Sequence, residues 1–151
     1  ALPIWMRIAS IAKNAVVKLP MTWNGIRACE YFSKRDIGVN MTLCFTPIQA
    51  LMAARSGARY VSPFIGRLED HGEDGIALIA EIRDIYDNYD IETNILAASI
   101  RNIDHIIESA LCGADFATIP VALMEKLLDH PLTTAGLEKF NNDWLKSGKK
   151  I

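Results

Sequence analysis

The chain has 151 residues, half of them hydrophobic and 23% charged, with a formal net charge of −2. That is one domain's worth of sequence with enough apolar material for a real core. The near-neutral balance offers no basic surface to nucleic acid, and no apolar run approaches the ~20 residues of a membrane-spanning helix, so neither partner is expected.

The opening residues Ala1 to Arg7 lack a basic stretch followed by a long apolar one and do not read as a signal peptide. Residues Ile4 to Lys13 read as a helix leading into a first strand, Ala15 to Lys18, within Ala15-Val16-Val17-Lys18-Leu19-Pro20. Lys18 stands out there, because lysine is among the side chains least often buried. Desolvation favours the neutral form of an amine, and a neutral amine attacks carbonyls to form Schiff bases. The competing reading is a lysine near a strand end that reaches back to water.

A helix over Gly25 to Lys34 precedes a second strand, Val39 to Phe45, and a helix over Pro47 to Ser56 precedes a third, Tyr60 to Ile65. The polar run Asp70-His71-Gly72-Glu73-Asp74 reads as a loop capping the next helix, Gly75 to Tyr89; its spacing does not converge metal ligands. A fourth strand, Thr93 to Ser99, is followed by a helix over Ile103 to Cys112. There His105 and Glu108 sit three apart, like half of a carboxylate-bridged metal pattern with no second half, and read as a helix face. A fifth strand, Asp115 to Ile119, is followed by helical patterns over Val121 to Leu128 and Leu137 to Lys146, the latter with an apolar stripe of Phe140, Trp144 and Leu145. Cys29, Cys44 and Cys112 are odd in number, widely spaced and without a CxxC pair. They read as reduced thiols of a cytoplasmic protein.

Short apolar strands alternating with helices predict an α/β fold with a parallel sheet. No G-x-G-x-x-G follows a strand, which weakens a dinucleotide-binding sheet. Period-2 geometry separates Asn40, Thr42 and Cys44 from Met41, Leu43 and Phe45, Ser62 and Phe64 from Val61, Pro63 and Ile65, and Ala97, Ser99 and Arg101 from Leu96, Ala98 and Ile100. A polar set on one face fits a barrel interior better than an open sheet covered on both faces. Five strands do not close such a barrel, so about three strand–helix units are expected before Ala1, the whole chain forming one domain.

The motifs Val16-Val17-Lys18-Leu19-Pro20, Asn40-Met41-Thr42-Leu43-Cys44-Phe45-Thr46, Tyr60 to Leu68 (Y-V-S-P-F-I-G-R-L), Ala97-Ala98-Ser99-Ile100-Arg101-Asn102 and Thr118-Ile119-Pro120 resemble, in this order, the transaldolase family. The match is to its short-subunit branch, related to fructose-6-phosphate aldolase. The resemblance implies the last five strand–helix units of a (β/α)8 TIM barrel, strands four to eight, with a C-terminal helix. It implies Lys18 as the Schiff-base lysine that attacks C2 of a ketose phosphate, and Thr42 as the holder of a catalytic water. Asn40 and Ser62 would touch substrate, while Arg67, Ser99 and Arg101 would bind phosphate, for which arginine's planar fork is suited. Phe64 stands where the aldolase branch carries tyrosine, which points to transfer of a dihydroxyacetone unit between sugar phosphates in the pentose phosphate pathway rather than its release. No metal or cofactor is implied, and a homo-oligomer is expected, with the last helix packing on a neighbouring subunit or on its own barrel. The family's acidic and polar groups from the first three strands have no counterpart in this sequence. Two alternatives stay open: a fructose-6-phosphate aldolase, and a catalytically incomplete fragment or assembly module.

Overall fold

A computed structural model describes residues 2–148. They form two compact units, one ending at Pro120 and the other starting at Val121. The first contains α1 (Leu2–Ala9), β1 (Val17–Pro20), α2 (Trp23–Ser33), β2 (Val39–Cys44), α3 (Pro47–Arg55), β3 (Tyr60–Pro63), α4 (Ile65–Glu69), α5 (Gly75–Asn88), β4 (Asn94–Ala97), α6 (Ile103–Leu111) and β5 (Phe116–Ala117). The strands form one parallel sheet in the order β1-β2-β3-β4-β5, so each strand lies beside its neighbour in sequence. The order never reverses, as it does at the ligand crevice of a doubly wound sheet.

Short polar side chains start the helices. Thr22, Thr46, Asp74 and Asn102 cap α2, α3, α5 and α6 by accepting backbone N–H groups that a first helical turn leaves unpaired. Beneath the helices, Val17, Leu19, Val39, Met41, Val61, Pro63, Ile95 and Ala97 form the buried face of the sheet. Phe32, Ile79, Ile82 and Tyr86 pack above them, and the Tyr86 hydroxyl donates to the Ala50 carbonyl at 2.8 Å. The opposite face carries Lys18, Asn40, Tyr60, Asn94, Leu96 and Phe116, all half-buried or exposed. Tyr60 and Phe116 meet edge-on across it at 5.7 Å.

Several expectations need correction. Lys18 is exposed, because β1 is buried only on its Val17 and Leu19 side. The strand itself runs to Pro20 rather than ending at Lys18. Cys44 does not share a face with Asn40 and Thr42. Leu43 takes a left-handed φ of 60°, and the β2–β3 register slips between Thr42 and Cys44. This bulge reverses the alternation and buries Cys44 completely. β3 stops at Pro63, so Ile65 opens α4 instead of closing the strand. β4 stops at Ala97, which is buried, and Ser99 turns left-handed at φ 63°; Ala97, Ser99 and Arg101 are therefore not one strand face.

The second unit contains α7 (Val121–Met124) and α8 (Pro131–Ser147), the latter longer than its apolar pattern indicated. His130 caps α8 through Nδ1, and Gly148 ends it at φ 63°. Phe140, Trp144 and Leu145 are exposed.

Candidate active site

Lys18 and Asn40 are register partners on the open face of the sheet. The Ser62 hydroxyl donates to Asn40 Oδ1 at 2.8 Å, which orients the amide and leaves its N–H donors for another group. Thr42 is the register partner of both Pro20 and Ser62. It is only 9% exposed, and its Oγ1 is buried without a hydrogen-bond partner among the described residues. Such a hydroxyl costs ~1–3 kcal/mol unless a water or ligand answers it.

Two residues beyond the bulge at Leu43 comes Phe45. Phe45 meets the Phe64 ring edge-on, with centroids 5.9 Å apart and planes at 69°. Phe64 bridges to Ala98 at the end of the sheet. Two cations face its ring: Lys18 Nζ lies 5.9 Å from the centroid and Arg67 Cζ 5.1 Å. Phe64 is thus a common neighbour of an amine and a guanidinium. Beneath them, burial pushes the Cys44 thiol up to about 12, leaving it protonated and inert.

At the strand ends, α4 and the turn after β4 lock together. A Cβ at Gly66 would collide with the Ser99 carbonyl oxygen and stand 2.7 Å from Arg101 Cγ, so only glycine permits this approach. Asp70 Oδ2 takes Arg101 Nη2 at 2.7 Å. The backbone N–H of Arg101 donates to His105 Nδ1 at 3.2 Å, and His105 Nε2 lies 2.7 Å from Glu69 Oε2. Arg67, on the same short helix, and Arg101, beside it, are both exposed at this end of the sheet, with Ser99 half-buried between the elements.

Lys18, Asn40, Thr42, Ser62 and Phe64 thus share one face, while Arg67, Ser99 and Arg101 gather where β3 and β4 end. Among the described residues, no group of three His, Cys, Asp or Glu side chains is arranged to hold a metal ion. Likewise, no helix is long and apolar enough to cross a membrane. Asp74 caps α5, as its loop position indicated. Asp70 is not only part of that loop, since it holds Arg101. His105 lies on α6 with Glu108, as read, but is 3% exposed and bonded to Glu69. Sequence reading missed Gly66, Glu69, Asp70 and His105 as parts of the site. The pairs Glu69–His105 and Asp70–Arg101 lie 36 and 31 residues apart, beyond any local pattern.

Residues 1–151 match the family model described as Transaldolase/Fructose-6-phosphate aldolase. A probable transaldolase of Caulobacter vibrioides is 55% identical over 145 residues, covering 96% of this chain and 67% of the relative. One from Paracoccus denitrificans is 54% identical over 144 residues, covering 95% of this chain and 66% of the relative. The chain therefore spans about two thirds of the length of these relatives. Among solved structures, mandelate oxidase with benzoyl-formic acid is similar over 65% of this chain and 29% of that one, with 18% identity and a TM-score of 0.48. Sequence similarity over its whole length makes this chain a member of the transaldolase/fructose-6-phosphate aldolase family.

Proposed function

We propose that the chain carries the Schiff-base half of a transaldolase site, in the last five strand–helix units of a (β/α)8 barrel. The observation that carries this reading is the Phe64 ring with the Lys18 amine and the Arg67 guanidinium near it, together with a buried Thr42 hydroxyl that has no partner among the described residues. A ketose phosphate needs those three functions in one place: a nucleophile for its carbonyl, a positioned water for proton movement, and a cation for its phosphate. The unreversed order of the parallel strands supports the barrel, whose active sites lie at the C-terminal ends of the strands.

On this reading, Lys18 Nζ adds to C2 of fructose 6-phosphate or sedoheptulose 7-phosphate. Water leaves, and the iminium accepts the electron pair of the C3–C4 bond as the C4 hydroxyl loses its proton and an aldose phosphate departs. The enamine of dihydroxyacetone then attacks the aldehyde carbon of an acceptor aldose phosphate, and water hydrolyses the new imine to free Lys18. Thr42 holds the water that moves these protons, and its hydroxyl can both donate and accept. Asn40, oriented by Ser62, donates toward the substrate hydroxyls. Arg67 and Arg101, with Ser99, receive the phosphate. Phe64 brings no hydroxyl to the imine, which favours transfer over release of dihydroxyacetone. The reaction needs no metal or cofactor. The chain acts as a cytoplasmic homo-oligomer in carbohydrate metabolism.

Borohydride reduction of the chain with fructose 6-phosphate, followed by peptide mass mapping, tests the reading. A covalent sugar adduct on Lys18, absent from Lys18→Met, is expected. An adduct on another lysine, or none on Lys18, overturns the proposal for this chain.

A further inference from the structure

We propose that His105 is a positioning residue for phosphate, acting through the Arg101 backbone with its tautomer set by Glu69. The inference rests on the reading of Arg67, Ser99 and Arg101 as a phosphate site. Asn102 Oδ1 accepts the His105 N–H at 2.7 Å and caps α6, which points the imidazole back at the preceding turn. There Nδ1 accepts the Arg101 N–H at 3.2 Å. A nitrogen that accepts carries no proton, so the proton of the neutral ring sits on Nε2 and is donated to Glu69 Oε2 at 2.7 Å. The arrangement is a capping box with histidine in place of glutamate, shifted one residue outward.

Three contacts from α4 and its cap bear on the same turn. Glu69 holds His105, and hence the Arg101 backbone; Asp70 holds the Arg101 guanidinium; Gly66 lets the Ser99 carbonyl approach. Arg67 lies on that helix. The network therefore ties Arg67 on α4 to Ser99 and Arg101 on the turn, although the imidazole is 3% exposed and meets no substrate. A histidine serving only as core filler needs neither a fixed tautomer nor an acceptor at Nδ1.

The first test is imidazole 15N NMR of the intact chain, which should show Nδ1 unprotonated and Nε2 protonated; the reverse tautomer overturns the proposal. The second compares two variants by titrating inorganic phosphate against the amide signals of Arg67, Ser99 and Arg101. His105→Leu removes both the acceptor and the donor and should weaken phosphate about tenfold, the cost of one stranded N–H. His105→Gln offers an amide oxygen to the Arg101 N–H and an amide N–H to Glu69, and should recover most of that loss. Equal weakening in both, or none in either, refutes the assignment. Should these variants misfold, Glu69→Ala at the partly exposed end of the network serves instead. It should speed exchange of the Arg101 amide hydrogen about tenfold, the loss of one hydrogen bond's worth of protection, and unchanged exchange counts against the proposal. A wild-type chain that ignores phosphate yet keeps the tautomer and the protected amide refutes the phosphate site, not the anchor.

Discussion

Replacing Gly66 by alanine sets two physical effects against each other. Gly66 lies inside α4 at an ordinary helical φ, so helix propensity alone favours alanine by ~1 kcal/mol. The new methyl would overlap the Ser99 carbonyl oxygen and lie 2.7 Å and 2.9 Å from Arg101 Cγ and Nε. The arginine can swing away, but the carbonyl belongs to the backbone and moves only with its turn. Overpacking of this kind costs ~1–3 kcal/mol, toward the upper end when backbone must shift. The net is a loss of about 2 kcal/mol, or ~4–8 °C in Tm for a chain of this size. Separating α4 from the turn should also weaken phosphate by about tenfold or more, since one stranded hydrogen bond to an anion costs that much. Urea unfolding and phosphate titration of Gly66→Ala read both quantities. Gly136→Ala supplies the opposite sign: Gly136 lies in α8 with nothing near the added methyl, so a gain of ~0.5–1 kcal/mol is expected. A Gly66→Ala chain as stable as the parent, with phosphate binding unchanged, would refute the close-approach argument.

Thr42→Val removes a buried hydroxyl that no described group satisfies, so the variant should be as stable as the parent or ~1 kcal/mol more stable, while imine formation slows ~100-fold or more. A stability loss above that margin means the hydroxyl has a protein partner. Arg67→Ala and Arg101→Ala should each weaken phosphorylated substrates ~10–100-fold and spare unphosphorylated ones, with equal losses on both removing the phosphate assignment. Arg101→Ala also breaks the pair with Asp70, but both side chains are more than half exposed, so its Tm should stay near the parent's. Alkaline pH tests the bulge. Cys44 holds its proton in the fold between its ordinary value of 9.0 and about 12, where the unfolded chain has lost it. Stability must therefore fall as pH rises through that window, by up to ~1.4 kcal/mol per pH unit from this one thiol. Cys44→Ala should flatten the decline; identical slopes in the two chains would place Cys44 outside the core.

Much of this molecule is legible one residue at a time. The alternation of short apolar strands with helices and the Asp74 cap of α5 lie in local sequence. Propensity, capping and period-2 patterning are local physics. The order of the motifs was enough to identify the family.

The tertiary structure decided what those patterns leave open. Alternation alone put Cys44 with Thr42, yet a single left-handed residue, Leu43, reversed the faces beyond it and brought Phe45 to Phe64. The same happened after β4, where Ser99 turns out of the strand and hands Arg101 to Asp70 and His105. Lys18 looked buried because its neighbours are apolar, but a strand presents two faces and only the Val17–Leu19 face is covered. Composition and spacing determine which side chains can do chemistry and which elements carry them. Backbone turns at Leu43, Gly66 and Ser99, and contacts between residues 31 and 36 positions apart, determine which of them meet. Such pairings follow from long-range packing, and no local window of sequence contains it.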